Sequence, residues 1–405
     1  MSDYRSLMSR PGIRLLAPTF SPWAPSKPLD RQVAVLMSGG VDSSVAAHLL
    51  GCAGWEVLGI TMKIPVACDL GPRGCCGADA AFVCNDLGLP HYFVDVTQAF
   101  QDIIIRPFRA AYARGQTPNP CVDCNAFLKF SLVWDLLEKE FGIKHVATGH
   151  YARVVHAAPP PSGVNPAEGG RATQVVLRRA TDKEKDQSYF LYGIPSRRLP
   201  DFLLPLGNLA KLQVRATAAK LGLSVAGKAE SMELCFAGEQ DYRLALQDAV
   251  AHRPGNLTDM QGRKIGVHQG IANYTLGQRR GLGFAGGRPL YVGRIDAAAN
   301  TVALGTREEV SIPVVHAAGL NVLLSEKLTP GARLFGKIRS YGDPRPCILL
   351  ARTPDGMTVK FEQAQFAPCP GQRLVLYDDQ ENVVAGGAIQ AGCPRGPESA
   401  DPPSV

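Results

Sequence analysis

Residues 38–44 read Ser-Gly-Gly-Val-Asp-Ser-Ser, and the expected type of fold follows from these residues and their neighbours. It lies between a short apolar run at 33–37, which predicts a buried strand, and a helical pattern at 44–50. The two glycines allow backbone amides to approach an anion closely, the serines add hydroxyl donors, and the helix N-terminus adds positive partial charge. The stretch therefore predicts a phosphate-binding loop.

The loop differs from two common nucleotide loops. Mononucleotide-binding loops have a lysine after their glycines, and this loop has none. It also lacks the three-glycine spacing of dinucleotide-binding loops. It resembles the pyrophosphate loop (PP-loop) of N-type ATP pyrophosphatases, which split ATP between the α- and β-phosphates and leave an adenylated intermediate. In that interpretation Asp42 helps to hold magnesium. The alternative is a Gly-Ser turn that only caps a helix.

Outward from the loop, strand-like and helix-like runs alternate. Strands are predicted at 33–37, 57–62, 91–96 and 145–149, and helices at 44–50, 78–87, 99–113 and 126–141. Such alternation is typical of crossover units that build a parallel sheet covered on both faces. We therefore expect a doubly wound α/β domain.

The second half of the chain has a different pattern. A flexible loop rich in Pro, Gly and Ala is expected at 157–170, then a strand at 174–178 and a helix at 209–221. Strands at 301–304, 333–339, 357–361, 373–377 and 383–389 predict a C-terminal antiparallel β-barrel. The expected parts are a flexible N-terminal extension (1–30), a catalytic domain (31–225), a small central domain (226–298), the barrel (299–391) and a flexible tail (392–405).

Composition narrows the class of protein. The chain of 405 residues has room for two or three domains, and its net charge of +7 mildly favours a polyanionic partner. No uninterrupted apolar run approaches the roughly 18 residues of a membrane span, and residues 1–30 lack the compact apolar core and small-residue cleavage site of a secretory signal, so we expect an unexported protein. Eleven cysteines, an odd number, favour reduced thiols. We expect a cytoplasmic monomer whose N-terminal extension is either disordered or an organelle transit peptide.

Three cysteines are candidates for chemistry. Cys121 and Cys124 follow a proline-fixed stretch, on a loop just before the helix predicted from residue 126, where the helix N-terminus would lower the thiol pKa. Cys235 lies far away in the sequence. The alternative is that all three are inert, and neither the single Cys-x-x-Cys nor the group Cys68, Cys75, Cys76 and Cys84 has the spacing of a zinc site.

The ordered motifs resemble those of one family, the tRNA-specific 2-thiouridylases (MnmA type), from residue 31 to residue 390. Besides the loop at 38–44, the matching stretches are 117–125, Ala-Thr-Gly-His-Tyr-Ala-Arg at 147–153, Lys-Asp-Gln-Ser-Tyr-Phe-Leu at 185–191, Glu-Leu-Cys-Phe at 233–236, and 268–281. Related sulfurtransferases share the first loop, but the later stretches in combination are specific.

The resemblance implies a set of site residues. ATP would contact Leu36, Met37, Ser38, Gly39, Gly40, Val41, Asp42, Ser43, Met62 and Gly149. The target base would face Asn119, Pro120 and Cys121, and the tRNA would meet His150, Lys185, Asp186, Gln187, Arg339, Ser340 and Gln372. Cys124 and Cys235 match the two working cysteines of the family. Many members carry an aspartate where this chain has Cys121.

The implied reaction uses ATP and magnesium to adenylate C2 of a wobble uridine, so that its oxygen can leave with AMP. Cys235 would carry a persulfide, received from a sulfur-relay protein or a cysteine desulfurase, and Cys124 would resolve it. In a rival route, Cys121, Cys124 and Cys235 bind a 4Fe-4S cluster that holds sulfide. The implied substrates are tRNAs for Lys, Glu and Gln. A small-molecule adenylating ligase and a catalytically silent RNA-binding protein are the alternatives from other classes.

Overall fold

A computed structural model describes residues 12–65, 76–157, 174–229, 234–236, 253–284 and 287–391. Residues 158–170 of the predicted flexible loop and the predicted tail at 392–405 lie outside these ranges, as do Cys68 and Cys75. Among the described residues, no helix is long and apolar enough to cross a membrane.

The first part of the chain builds a sheet of mostly parallel strands. Its strands, with a separate hairpin of β6 and β7, are β1 (Arg14–Pro18), β2 (Gln32–Leu36), β3 (Glu56–Lys63), β4 (His91–Asp95), β5 (His145–Thr148), β6 (Ala152–Ala157), β7 (Gln174–Arg179) and β8 (Phe202–Leu203). The sheet order is β1-β4-β3-β2-β5-β8, and only β1 runs antiparallel to its neighbour. Two apolar cores lie on its faces, as expected of a doubly wound domain.

Helices connect these strands. They are α1 (Val41–Cys52), α2 (Cys76–Asp86), α3 (Thr97–Phe100, then π-helical Gln101–Ile105, then Arg106–Ala113), α4 (Pro120–Asp123, then π-helical Cys124–Val133, then Trp134–Phe141), α5 (Ser188–Leu191) and α6 (Lys211–Lys220). Short 3-10 turns lie at Leu29–Arg31, Ser196–Asp201, Ile271–Asn273 and Ser325–Lys327. The alternation predicted from the sequence is confirmed, although α1 begins three residues before the predicted start and α4 six residues before it.

The strand order locates the site. From β2 the chain moves to β3 and β4 on one side, and then returns to place β5 on the other side of β2. The carboxyl ends of β2 and β5 therefore form a topological switch point, which is where ligands bind in open α/β sheets. The loop at 38–44 follows β2, and Gly149 follows β5.

The expectation of a flexible segment at 1–30 is wrong for β1. Arg14 to Pro18 pair with β4, and Leu15 packs against the core. The strand is short, ends in proline and has no regular alternation of apolar residues, so its sequence shows little strand pattern. Pairing with the edge of the sheet stabilises it.

The rest of the chain forms two β structures. β9 (Gly255–Asp259), β10 (Lys264–His268), β11 (Tyr291–Asp296) and β12 (Thr301–Gly305) make a four-stranded sheet. A closed six-stranded barrel follows, with β13 (Ser311–Val322), β14 (Arg333–Lys337), β15 (Arg345–Arg352), β16 (Gly356–Phe366), β17 (Arg373–Tyr377) and β18 (Val383–Ile389).

The predicted barrel is confirmed, but its predicted start at residue 299 is wrong. The strand expected at 301–304 is β12, which pairs in parallel with β9 and antiparallel with β11 and so belongs to the central sheet. Alternation and turn residues are the same in the two structures. They therefore predict a strand without showing which sheet it joins.

Candidate active site

The phosphate loop is held in shape by its own serines. Gly39 has a φ of +69°, a left-handed conformation that favours glycine. The hydroxyls of Ser43 and Ser44 donate to the Gly40 carbonyl at 3.2 and 2.9 Å, and the Ser38 amide donates to Ser43 Oγ at 3.2 Å. No side chain caps α1 at Gly40. The amides of its first turn are therefore directed toward a ligand position.

Gly149 brings the end of β5 against this loop. A Cβ at this position would lie 2.6 Å from both Asp42 C and Ser43 N, which is closer than real Cβ atoms approach. Only glycine fits without moving the loop. Leu36 and Met37 are buried at the end of β2, and Met62 lies on the neighbouring strand β3, partly buried against the core. The predicted nucleotide residues thus surround the switch point.

Asp42 does not fit the predicted magnesium role in this structure. Lys211 Nζ donates to both of its carboxylate oxygens at 2.7 and 2.8 Å, and Tyr151 Oη donates to Oδ1 at 2.9 Å. These donors neutralise and occupy the carboxylate. Sequence reasoning missed Lys211, which is buried at the first position of α6 although lysine is rarely buried.

The two neighbouring cysteines lie inside a helix and not on a loop before it. Pro120 occupies the first position of α4, and the side chain of Asn119 caps the helix by accepting from the Val122 amide at 3.3 Å. Proline at the first helical position after an asparagine cap is a known start signal, which sequence reasoning missed. Cys121 is exposed and Cys124 is buried.

The expectation of lowered thiol pKa values is wrong for this conformation. The side chain of Cys121 reaches solvent but protein surrounds most of it, and this desolvation raises its pKa to about 11. Burial also raises the pKa of Cys124. Desolvation of the thiolate outweighs the helix N-terminus, so both thiols are protonated near neutral pH.

Lys129 is a second residue that sequence reasoning missed. Its ammonium group donates to Asn125 Oδ1 at 2.9 Å, one helical turn before it, and Asn125 in turn donates to the Phe190 carbonyl at 3.1 Å. The positive charge of Lys129 opposes the burial effect and lowers the pKa of both Cys121 and Cys124. The signal available in the sequence was the spacing between Asn125 and Lys129, because side chains four positions apart lie on the same face of a helix.

His150 connects the nucleotide loop with the thiol-bearing helix. It follows Gly149, its Nδ1 lies 2.8 Å from Thr148 Oγ1, and its ring lies edge-on to Phe130 of α4 with centroids 6.4 Å apart. Burial and, to a lesser extent, the charge of Lys129 lower the pKa of His150 to about 3. His150 is therefore neutral at physiological pH.

The barrel holds the segment before the thiols. Gln372 Nε2 donates to the carbonyls of Thr117 and Pro118 at 3.1 and 3.3 Å, and the Thr117 amide donates to the Pro370 carbonyl at 2.9 Å. Arg373 forms an ion pair with Asp123, which lies between the two cysteines. Gln372 thus uses its side-chain amide within the chain, and the barrel positions the residues predicted to face the base.

The stretch 185–187 has a buried residue between two half-buried ones. Lys185 and Gln187 are half-buried, whereas Asp186 is buried and accepts from Arg179 Nε, Ser188 Oγ and the Ala180 amide at 3.0, 3.0 and 2.9 Å. The carboxylate of Asp186 is fully used inside the protein, which does not fit the implied contact of this carboxylate with tRNA. Gln187 Oε1 accepts from the Tyr151 amide at 3.0 Å.

Arg339 and Ser340 lie at the end of β14, both half-buried. Arg339 Nη2 donates to the carbonyls of Phe366 and Ala367 at 2.6 and 3.2 Å, and its guanidinium lies over the Phe366 ring. One edge of the guanidinium is used by these carbonyls.

Cys235 is presented outward by its neighbours. Phe236 is buried against α3, with its ring centroid 6.0 Å from Phe100 and 5.3 Å from Phe108, and Leu234 packs against the same core. Cys235 between them is exposed. Glu233, which opens this motif, lies outside the described residues.

The three candidate thiols do not form one metal-binding group. Within the described ranges, no set of three or more His, Cys, Asp or Glu side chains is arranged to hold a metal ion, and these ranges include Cys121, Cys124 and Cys235. The donor set for a cluster is therefore not assembled in this conformation. Among the other cysteines, Cys84 is buried, and burial raises its pKa to about 12.

Comparison with known proteins identifies the family. Family models match residues 31–239 (tRNA methyl transferase HUP domain), 243–306 (tRNA methyl transferase PRC-barrel domain) and 317–389 (aminomethyltransferase beta-barrel domain). The tRNA-specific 2-thiouridylase MnmA of Acetivibrio thermocellus is 39% identical over 89% of this chain and 99% of that protein. The chain belongs to the tRNA-specific 2-thiouridylase family.

Other members of the thiouridylase family are similar to the same extent. MnmA 1 of Caldanaerobacter subterraneus subsp. tengcongensis is 40% identical over 89% of this chain and 98% of that protein. MnmA of Pelotomaculum thermopropionicum is 41% identical over 89% of this chain and 97% of that protein. The second family model ends at residue 306, which agrees with the place of β12 in the central sheet.

Proposed function

We propose that this protein is an ATP-using sulfurtransferase that replaces the 2-oxygen of the wobble uridine of tRNA with sulfur, giving 2-thiouridine, AMP and pyrophosphate. One observation carries the proposal. The end of β5 touches both halves of the site, because Gly149 lies against the phosphate loop while His150 lies against the helix that bears Cys121 and Cys124. A nucleotide on the loop and a base near the thiols would then meet at one place.

ATP binds at the switch point in this proposal. Its phosphates lie on the amides and hydroxyls of residues 38–43, beside Gly149, and its adenosine lies toward Leu36, Met37 and Met62. Magnesium accompanies the nucleotide. Lys211 Nζ already binds both carboxylate oxygens of Asp42, so this carboxylate anchors α6. The metal is therefore held chiefly by the phosphates.

The target uridine lies near Asn119, Pro120 and Cys121. The barrel fixes this turn through Gln372 and Arg373, so tRNA contacts on the barrel and base placement are mechanically linked. The proposed phosphate and sugar contacts of the tRNA are Lys185, Gln187, Arg339 and Ser340, and His150 acts as a neutral hydrogen-bonding group. Base chemistry requires the wobble uridine to leave its stack.

Sulfur transfer uses two thiols with different surroundings. Exposed Cys235 accepts a terminal sulfur from a sulfur-relay protein or cysteine desulfurase, which requires access for another protein. That sulfur attacks the adenylated C2, and AMP departs with the former 2-oxygen and its electron pair. Buried Cys124 then attacks Cys235 Sγ as a thiolate, forming a disulfide and leaving the sulfur on the base. A two-electron thiol reductant restores both cysteines.

The cluster route is the less favoured form of the same reaction. It requires Cys121, Cys124 and Cys235 to converge. In the described residues, however, Cys235 is exposed next to Phe236, which packs against α3, and Cys124 is buried in α4. The persulfide route needs the two sulfurs to meet only after the base is bound. Substrate tRNAs for Lys, Glu and Gln are part of this proposal.

Mass spectrometry of nucleosides tests the function. Unmodified tRNA is incubated with the protein, ATP, magnesium and a persulfide donor, and 2-thiouridine is expected only when ATP is present. Cys124→Ala and Cys235→Ala are expected to abolish the product while tRNA binding persists, and Cys52→Ala, at an exposed cysteine outside the site, is the matched control. Normal turnover in either site variant would exclude the persulfide route. Absence of 2-thiouridine with every donor would exclude the function.

A further inference from the structure

Two lysines lie against a phosphate loop that contains no lysine of its own. Lys211 binds Asp42 of the loop. Lys228 Nζ donates to the Gly39 carbonyl at 3.1 Å and forms an ion pair with Asp79 of α2 at 2.6 Å. Lys228 also precedes Cys235 by seven residues in the sequence.

The two lysines differ in their freedom to change partners. The side chain of Lys211 is only 11% exposed, binds both oxygens of Asp42 and lies over the Tyr151 ring. The side chain of Lys228 is 38% exposed, and that of its partner Asp79 is 36% exposed. Exposed ion pairs contribute little net stability, because solvent screens them. Breaking the ion pair between Lys228 and Asp79 would therefore cost little free energy.

The backbone at Lys228 is anchored while its side chain reaches the loop. Its amide donates to the Val225 carbonyl at 3.0 Å, and its carbonyl accepts from Arg215 Nη1 of α6 at 3.5 Å. A new contact of the ammonium group thus needs only a side-chain rotation. The Gly39 carbonyl that it now touches belongs to the backbone that would surround the phosphates.

A triphosphate carries several negative charges, whereas the donors of the loop are neutral amides and hydroxyls. We propose that Lys228 is the cation of the phosphate site, and that on ATP binding its ammonium group leaves Asp79 and contacts the β- and γ-phosphates. It then stabilises the pyrophosphate that departs. The role is electrostatic, since no covalent bond to Lys228 forms or breaks. This inference rests on the proposed binding of ATP at the loop.

Binding of three ligands to the full chain tests the role of Lys228. Isothermal titration with magnesium measures the affinity for α,β-methylene-ATP, pyrophosphate and AMP in the natural protein, Lys228→Met, Lys228→Arg and Asp79→Asn. Lys228→Met is expected to weaken α,β-methylene-ATP and pyrophosphate by roughly 10- to 100-fold, the range of a charge-assisted hydrogen bond, and to leave AMP unchanged. Lys228→Arg retains most of the affinity.

Asp79→Asn is the matched control, because it breaks the same ion pair from the other side. We expect this variant to bind α,β-methylene-ATP as tightly as the natural protein or more tightly. Equal losses in Lys228→Met and Asp79→Asn, or equal losses for AMP and α,β-methylene-ATP, would show a merely structural pair and overturn the inference. Unchanged affinity in Lys228→Met would overturn it as well. Absence of α,β-methylene-ATP binding in the natural protein would instead overturn the proposed function, and this inference with it.

Discussion

Lys129 places a positive charge next to both thiols of α4 while burial favours their neutral form. Its charge lowers the pKa of Cys121 and Cys124, whereas desolvation raises it. The thiolate that the proposed persulfide resolution needs would therefore depend on this ammonium group. Asn125 holds it in place at 2.9 Å.

Removing this charge slows the chemistry of the thiols. In Lys129→Met we expect the pKa of Cys121 and Cys124 to rise, and since one pKa unit changes the thiolate fraction tenfold, alkylation at pH 8 should slow roughly 3- to 10-fold. Peptide mapping after timed iodoacetamide treatment measures each site. Lys129→Arg keeps the charge and the natural rate. Equal alkylation of Lys129→Met and the natural protein would contradict this role.

The residues of the sequence motifs were predictable, but the distant residues that contact them in the folded protein were not. The glycines and serines of the loop form a local pattern, so the sequence identifies them. The role of Gly149 depends on how closely Asp42 approaches it, across a gap of more than 100 residues in the sequence. Lys211 and Arg373 are likewise connected to the site only by folding. A single ionic side chain without a local motif resembles any solvated surface charge.

At the scale of elements, His91 ties together three parts of the sheet. This buried residue of β4 contacts Thr19 Oγ1 through Nδ1 and Thr61 Oγ1 of β3 through Nε2, both at 2.8 Å. Thr19 directly follows β1, so the histidine holds the added edge strand. Burial lowers the pKa of His91 to about 4, so the folded state keeps it neutral.

Because the pKa of His91 is lowered in the folded state, we expect the free energy of unfolding to decrease in acid. The unfolded chain protonates near pH 6.5 but the folded protein only near 4, so the unfolded state binds more protons between these values and stability falls as the pH falls. We expect a loss on the order of 1–3 kcal/mol between pH 7 and 4.5. Urea titrations should show a smaller dependence on pH in His91→Gln. An identical dependence in both proteins would contradict the assignment, since His150 titrates in each.

Most elements of the parallel sheet were predictable from the sequence. Buried strands are continuous apolar runs, whereas in helices apolar residues recur every three to four positions. The start of α4 was missed because Asn119 and Pro120 were interpreted as loop residues, although both residue types favour a helix start. β13 and β15 were missed as well. Sheet membership, as for β12, depends on pairing between distant segments.

At the scale of the whole molecule, the barrel and the catalytic domain share a core and an ionic contact. Val375, Tyr377 and Val383 of the barrel belong to the same apolar cluster as α3 and α4. The side chains of Arg373 and Asp123 are only 13% and 16% exposed. Removing one partner of such a pair leaves the other charge buried.

Breaking this ion pair weakens the junction. Arg373→Met is expected to cost about 3 kcal/mol, which lowers the melting temperature on the order of 5 °C. The double variant Arg373→Met with Asp123→Leu should lose less than the single variant, because no unpaired charge remains. Calorimetry measures all three proteins. A double variant whose loss equals or exceeds that of Arg373→Met would contradict the assignment of a buried pair.

The order of the domains was predictable from the change in pattern along the chain, but their contact was not. Gln372 and Thr117 are separated by 255 positions, and no periodicity relates them. That contact fixes the segment before α4, which is proposed to face the base, against the barrel. In the proposed function, tRNA on the barrel and ATP at the sheet would therefore meet through α4.

In the proposed reaction, the 2-oxygen of uridine leaves in AMP. The most direct measurement uses tRNA whose wobble uridine carries oxygen-18 at the 2-position, incubated with the protein, ATP, magnesium and a persulfide donor. Mass spectrometry of the AMP and of the nucleosides follows. We expect one heavy oxygen in each AMP formed with 2-thiouridine. AMP without the label, alongside normal formation of 2-thiouridine, would contradict adenylation of the base.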